Sequence, residues 1–414
     1  MRIALVYQHF MVSGVGSTKP YDLARHLVEA GHDVTVICGR GYLSQGMDVP
    51  RGLVSRLSVD GIDVLCLGVD YQQRMGTLRR VASFLAFTVV AMVAVCVTGP
   101  WDVMLASSTP LTVGLVGLAG RYVRRVPFVF ELRDLWPEVP YQAGFLRSRA
   151  IYRLSTLFEE WMYREAAAIS AISEKMRRRL IDRGVEARKI HFIPTGADLG
   201  RFKVRPDRAF LRQNGLEGRF VAAYVGAHGR ANNLDYLVEA AEHLKDDESI
   251  RIVLIGDGSE KRRLIDESRS RGLTGRPLVF LPPVARRFVP GILRACDVAL
   301  MIYFCGPGME YFMPNKLFDY LAAGLPIAIN IPAESAEWVR RAGCGLVTDG
   351  ADPSTLADAI RQIRRDPKAA RRMGRRAGQL ARERFDRADL HRRWEDLLAS
   401  VARPAGGRAG RESA

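Results

Sequence analysis

No D-x-D, no C-x-x-C and no histidine at metal-ligand spacing from a cysteine occurs in the 414 residues, so the sequence offers no ready metal site. Six cysteines (Cys38, Cys66, Cys96, Cys296, Cys305, Cys344) are scattered, mostly in apolar runs. They read as small buried hydrophobes in a reducing compartment, not as a disulfide frame. RNP-type, zinc-finger and helix-turn-helix signatures are missing as well, which argues against nucleic acid as a partner. Acidic residues are in deficit: 45 Asp and Glu stand against 61 Lys and Arg, a formal charge of +16. That surplus points to an anionic partner, either a phosphorylated substrate or an acidic membrane surface. Much of it lies in 361–388 and reads as solvated helix faces. No cationic, apolar leader precedes the first strand-like run, Arg2-Ile3-Ala4-Leu5-Val6-Tyr7, so a cytoplasmic location is expected.

What is present is an alternation of apolar strands and amphipathic helices that runs twice. Two domains are the natural expectation for this length. In the first half, the opening strand leads into Gly14-Val15-Gly16, a helix to Ala30, the turn Gly31-His32-Asp33 and a second strand from Val34. This is a βαβ opening of Rossmann type, with a glycine loop suited to a diphosphate. It lacks the third glycine, and no acidic residue closes the second strand, so NAD is disfavoured. Residues 40–80 read as loop. Val126-Pro127-Phe128-Val129-Phe130 then feeds Glu131-Leu132-Arg133-Asp134-Leu135-Trp136-Pro137-Glu138, a charged cluster at a strand's carboxyl end, where α/β sheets take ligands.

In the second half, three successive strands end in Gly or Pro loops: Gly226-Ala227-His228-Gly229-Arg230, Gly256-Asp257-Gly258-Ser259 and Pro282-Pro283-Val284. They are expected to line one crevice with a fourth segment, Gly308 to Pro326. There an uncharged strand runs through a Gly/Pro loop into a short helix, with Pro314 suited to its first turn and Gly324 and Pro326 to its end. The free N–H groups at Asn315 and Lys316 favour an anion, Lys316 adds a full charge, and Asp319 lies one turn on, available to hydroxyl groups. His191 and His228 each stand beside a turn, where a structural role is the commoner one.

Val81 to Pro100 carries no charge, and Arg74, Arg79 and Arg80 precede it. Its length would suit a membrane span, but a buried strand follows at once, so a crossover helix with one face dipping into lipid is the expectation. The domains are expected over 1–198 and 199–385, with a helix at 386–401 crossing back and a disordered tail at 402–414.

These segments together resemble the GT-B glycosyltransferases of family GT4. Ile193-Pro194-Thr195-Gly196-Ala197-Asp198 and Gly256-Asp257-Gly258 match general family motifs. Arg133 to Glu138 and Pro314-Asn315-Lys316-Leu317-Phe318-Asp319-Tyr320 are similar to its WbuB/WcaI-like branch, which builds polysaccharide and O-antigen. The resemblance implies an α/β, GT-B fold, two Rossmann-like domains facing a central cleft, with nucleotide on the second and acceptor against the first. It implies retaining transfer from a nucleotide sugar, UDP-linked, to a lipid-linked saccharide, at a membrane surface and with no metal or other cofactor. The donor-binding set is then Gly14, Gly16, Gly226, Arg230, Gly256, Gly258, Val284, Asn315, Lys316 and Asp319, with Asp134 and Glu310 as catalytic candidates. The family's E-x7-E pair falls on Tyr311 and Asp319, with Glu310 one place away. Its basic pair falls near Ala227 and Asn232, and Arg230 is the nearest substitute. The alternatives are a two-Rossmann nucleotide-sugar 2-epimerase, a non-catalytic scaffold that binds sugar nucleotide, and a soluble natural product as acceptor.

Overall fold

Parallel strands need both faces covered, so they appear in sequence as unbroken apolar runs, and the chain contains two sets of them. The computed structural model describes residues 1–13, 18–71, 75–108, 110–144 and 146–403. The chain divides into two compact units, Met1–Ile193 with the chain from His391 on, and Pro194–Leu390.

The first unit is built on an eight-stranded sheet. Its strands are β1 (Arg2–Tyr7), β2 (Asp33–Gly39), β3 (Val54–Val59), β4 (Ile62–Leu67), β5 (Val103–Ser107), β6 (Phe128–Leu132), β7 (Ala168–Ala171) and β8 (Ile190–Phe192), in the order β3-β4-β2-β1-β5-β6-β7-β8. All neighbours are parallel except β3 and β4. That pair corrects the expectation of a loop over 40–80. The hairpin turns at Asp60 and Gly61, both with positive φ (50° and 79°), the geometry that favours Asp-Gly in a two-residue turn. The Asp-Gly signal was in the sequence. The exposed, alternating β3 does not look like the buried strands around it.

The uncharged run at 81–100 forms most of a 21-residue helix, Thr77–Val97, the crossover between β4 and β5. Because β1 pairs with β2 on one side and β5 on the other, the segments before and after this helix share one sheet. One face of it, with Phe87, Ala91 and Val95, is buried.

The second unit has six parallel strands: β9 (Phe220–Val225), β10 (Ile250–Ile255), β11 (Leu278–Leu281), β12 (Val298–Met301), β13 (Ile327–Ile329) and β14 (Gly345–Val347), in the order β11-β10-β9-β12-β13-β14. One layer of its core joins Ala222, Tyr224, Ile252, Leu254, Val298 and Leu300 to Leu237 and Ile360 of the covering helices. Residues expected to close the first domain belong here. Ala197 N–H donates to the Phe385 carbonyl (2.6 Å), and Arg387 N–H to the Ala197 carbonyl (3.0 Å). The last helix, Arg387–Val401, runs on into the first unit, where Glu395 meets His26 (3.3 Å) and His32 (3.1 Å). The tail expected to be disordered lies outside the described residues from 404 on.

Candidate functional site

In the second unit the chain leaves β9 for β10 and β11 on one side, then returns to β12 on the other. The carboxyl ends of β9 and β12 therefore flank a topological switch point, the place where open α/β sheets hold ligands. Lys316 sits there. Its Nζ donates to Tyr224 Oη (2.5 Å) and Asn232 Oδ1 (3.2 Å). The ammonium also lies over the rings of Tyr224 (3.9 Å to the centroid) and Tyr303 (4.5 Å). No carboxylate pairs with it among the described residues, and burial pushes its pKa well down from the usual lysine value.

The helix that carries Lys316 is Asn315–Ala323, with Pro314 at its N-cap and not inside the first turn as the sequence suggested. Its amino-terminal N–H groups and Lys316 thus fall within a single turn. Gly324, at φ 69°, ends the helix in the left-handed conformation. Buried Asn330 holds the Tyr303 backbone with two hydrogen bonds of 3.0 Å, which fixes one of the two rings around Lys316. Asn330 is marked by no motif and was missed by the sequence reading, which noted Asn232 only as an uncharged residue near the family's basic pair.

The three described glycines of the donor set have steric reasons to be glycine. A Cβ on Gly226 would lie 2.5 Å from Lys316 Cε, one on Gly256 would lie 1.9 Å from the Gly226 carbonyl oxygen, and one on Gly258 2.4 Å from that of His228. The loops after β9 and β10 are laced together by Gly226 N–H to Ile255 O (3.0 Å) and His228 N–H to Asp257 O (2.8 Å). Lys261, also missed, donates to the carbonyls of Gly256 (2.7 Å) and Leu281 (2.9 Å) at the ends of β10 and β11. His228 is fully buried with neither ring nitrogen hydrogen-bonded among the described residues, and burial together with nearby Lys261 lowers its pKa to about 4. It is therefore a neutral ring at pH 7.

Two expectations for this crevice need correction. Asp319 does not stand free for hydroxyl groups: its Oδ1 faces Arg286 Nη2 at 3.7 Å. Arg387, Arg201 and Asp198 also act on its carboxyl, whose pKa is raised by burial. Asp198, from the Ile193–Asp198 motif, pairs with Arg201 (2.8 Å) and Arg387 (3.5 Å), so both motif acids are engaged by arginines. Arg230 is not drawn in beside Lys316. Its side chain is 91% exposed and reaches Glu260 at 3.4 Å, while Asn232 of the same short turn makes the contact with Lys316. Glu310 lies half-buried in the turn Met309–Tyr311 and has no hydrogen-bond partner among the described residues. Val284 is half-buried in the loop after β11.

The first unit has its own switch point, between β1 and β5. Gly14 and Gly16 lie outside the described residues. Just beyond them, Lys19 begins the helix Lys19–Glu29 and its Nζ meets Glu131 Oε1 at 2.7 Å, both side chains buried. Burial alone would raise the Glu131 carboxyl, but Lys19 and Arg133 overcome it and hold the pKa at about 2. His9 packs against Tyr42, Tyr71 and Phe84 (centroids 4.9, 4.5 and 6.4 Å). Burial, with Arg133, lowers the His9 pKa to about 4. In the charged cluster that follows β6, Arg133 N–H is held by Ser108 Oγ (2.8 Å), and Glu138 receives two hydrogen bonds from Arg179 (3.0 and 3.1 Å). Glu138 is thus a structural anchor, while Asp134 and Trp136 are exposed.

Residues 16–196 match the family described as Glycosyl transferase 4-like domain, and residues 219–366 match Glycosyl transferases group 1. WcaI of Escherichia coli (strain K12), a glycosyl transferase named for colanic acid biosynthesis, is 29% identical over 44% of this chain and 45% of its own length. The chain spans 45–66% of the length of the first curated relatives it matches. Among solved structures, sucrose-phosphate synthase from Thermosynechococcus elongatus has a TM-score of 0.75 at 17% identity, over 97% of this chain and 98% of that one. Anabaena HepE, solved with UDP-glucose, has a TM-score of 0.70 at 18% identity, over 97% and 100%. Both likenesses are of fold.

Proposed function

From the premise that this chain belongs to the GT4-like glycosyltransferases of GT-B fold, we propose that it moves a sugar from a nucleotide diphosphate donor to a saccharide acceptor in cell-surface polysaccharide assembly. The observation that carries this is Lys316: a half-buried lysine at a switch point, within one turn of a helix amino terminus, with no carboxylate paired with it among the described residues. Burying a charge without a counter-charge is costly, and a diphosphate would supply the missing partner. When the glycosidic bond to the diphosphate breaks, negative charge grows on the leaving oxygen. Lys316 and the N–H groups at Asn315 are fixed where they would stabilise it. Asp134, exposed beyond β6, is the group proposed to orient the acceptor hydroxyl or take its proton, and Glu310 is proposed to hold the donor sugar.

Retention of configuration, a UDP-linked donor and independence of metal are parts of the same reading. They are supported by the family motifs, by HepE having been solved with UDP-glucose, and by the lack of a D-x-D. A lipid-linked acceptor at a membrane surface is supported by the helix Thr77–Val97. Leu78, Val81, Leu85, Val89, Val93 and Val97 recur every three or four residues on one face and are 47–87% exposed. Such a face can lie at the lipid boundary, with basic residues adding attraction to anionic headgroups.

A thermal-shift screen against UDP-, GDP- and dTDP-sugars, followed by transfer assays with and without EDTA, tests the proposal. Stabilisation by one donor and EDTA-resistant transfer are expected. Interconversion of the sugar nucleotide without acceptor would identify an epimerase instead, and tight binding with no transfer would identify a scaffold. Failure to bind liposomes containing anionic lipid would remove the membrane and favour a soluble acceptor.

A further inference from the structure

At the opposite end of the second sheet's strands from Lys316 lies a cavity of about 1030 Å³. It opens at the strands' amino ends: Phe220 begins β9, Asp297 precedes β12 and Pro326 precedes β13. One wall is the carboxyl end of the Lys316 helix, Ala322 to Gly324, and another is the helix Pro367–Arg384. The two helices are in close contact, since a Cβ on Gly374 would lie 2.3 Å from the Gly324 carbonyl oxygen.

Seven of the twenty lining residues are arginine, and Asp297 is the one acid among them. Asp297 is engaged already, accepting the Val221 N–H at 2.7 Å. Arg364 is paired with Asp247 (2.9 Å), and Arg294 donates to the Phe202 carbonyl (2.9 Å). The other five, Arg371, Arg372, Arg375, Arg376 and Arg382, have no hydrogen bond or ion pair among the described residues.

Some solvated arginines on helix faces of this unit are paired, although Arg262 has no partner among the described residues. On the helix Lys261–Ser270, Arg263 meets Asp235, Glu260 and Glu267, and Arg269 meets Asp266. The helix Pro367–Arg384 contains a single acid, Glu383. It places Arg371 with Arg375, and Arg372 with Arg376, at i,i+4, where like charges repel. Five unpaired guanidinium groups around one concavity match the bidentate geometry of phosphate oxygens. The volume is far larger than a single phosphate needs.

We propose that this pocket binds a small molecule bearing two or more phosphate groups, at a site separate from the Lys316 crevice. The inference does not depend on the reaction proposed above.

Calorimetric titration of the full chain with tripolyphosphate, at about 150 mM salt to suppress diffuse attraction, is the test. The wild-type protein should show a binding event that Lys316→Ala retains, in addition to any tripolyphosphate bound at the Lys316 crevice. Arg371→Gln with Arg375→Gln should weaken it by about tenfold or more, and Arg372→Gln with Arg376→Gln should do the same, each pair removing two charge-assisted contacts. Arg178→Gln with Arg188→Gln, an equal loss of charge in the first unit, should leave the affinity unchanged. Equal weakening by this control pair, an unchanged affinity in both pocket variants, or loss of the event in Lys316→Ala would each overturn the site. So would binding of anionic phospholipid vesicles through these arginines with no tripolyphosphate event, since the patch would then be a surface for lipid headgroups and not a pocket.

Discussion

Two lysines each stand within the first turn of a helix beside a sheet's switch point, Lys19 after β1 in the first unit and Lys316 after β12 in the second. Lys19 is met by Glu131, with both side chains buried and 2.7 Å between charged atoms. Lys316 is met by a tyrosine hydroxyl, an asparagine oxygen and two aromatic rings. The first site is electrostatically closed: the protein supplies both charges, and the Glu131 pKa, held at about 2, records how strongly they interact. The second is open, because the half-buried lysine has no carboxylate partner among the described residues and leaves room for an anion from outside. A lysine beside a switch point is thus a structural device in one unit and the proposed ligand group in the other, and the carboxylate is what separates them.

The largest effect should come from breaking the closed pair. Lys19→Met leaves Glu131 buried and unpaired, and should destabilise the protein by about 3–5 kcal/mol in denaturant unfolding. Lys19→Met with Glu131→Leu should recover most of that. A single substitution that costs under about 1 kcal/mol would show that Glu131 is hydrated or protonated, and would undo the contrast between the sites.

A smaller loss, of a different kind, is expected at the open site. Lys316→Ala should weaken nucleotide diphosphate binding by about 1.5–3 kcal/mol, the range for hydrogen bonds to charged groups. Because the half-buried ammonium has no carboxylate partner among the described residues, Lys316→Met should leave the melting temperature unchanged or raise it. An unaltered nucleotide affinity in Lys316→Ala would take this lysine out of the site.

The subtlest expected effect is a proton. The Lys316 pKa is depressed in the free protein by burial, and a bound diphosphate would raise it. Between those two values the complex holds more protons than the free protein, so affinity should fall as pH rises through the window. Calorimetry in buffers of different ionisation enthalpy should show net proton uptake by the wild-type protein and none by Lys316→Ala. Zero uptake in the wild type would mean that Lys316 is already charged when empty.

How much of this was legible in the sequence depended on whether the signal was local. The helix ends at Gly324, and the strand runs at β1, β9 and β11, could be read off because backbone conformation and burial leave marks within a few residues. The β3–β4 hairpin escaped because β3 is exposed, although Asp60-Gly61 marked its turn. Lys316 was singled out by its place in a helix's first turn. Asn232 was passed over because an uncharged residue in a basic family position suggested absence of function, yet it is the one that touches Lys316. Arg230 was chosen as the nearest charge to the family's basic pair, and Asp319 for its place one turn from Lys316 and in the family's acidic pair. Their partners, Glu260 and Arg286, lie 30 and 33 residues away, with no motif to announce them.

By itself, the sequence determined two parallel-sheet α/β halves, the loops at their carboxyl ends and the family motifs, because each is written in local periodicity, turn chemistry and short spacings. The strand order, and with it the identity of each charge's neighbour, was decided only in the tertiary structure. Glu131 reaches Lys19 across 112 residues because β6 follows β5 in the sheet next to β1. Lys316 meets Tyr224 across 92 because β12 returns to the side of β9. Electrostatic interaction depends on distance and burial, and for residues so far apart along the chain the fold alone supplies both.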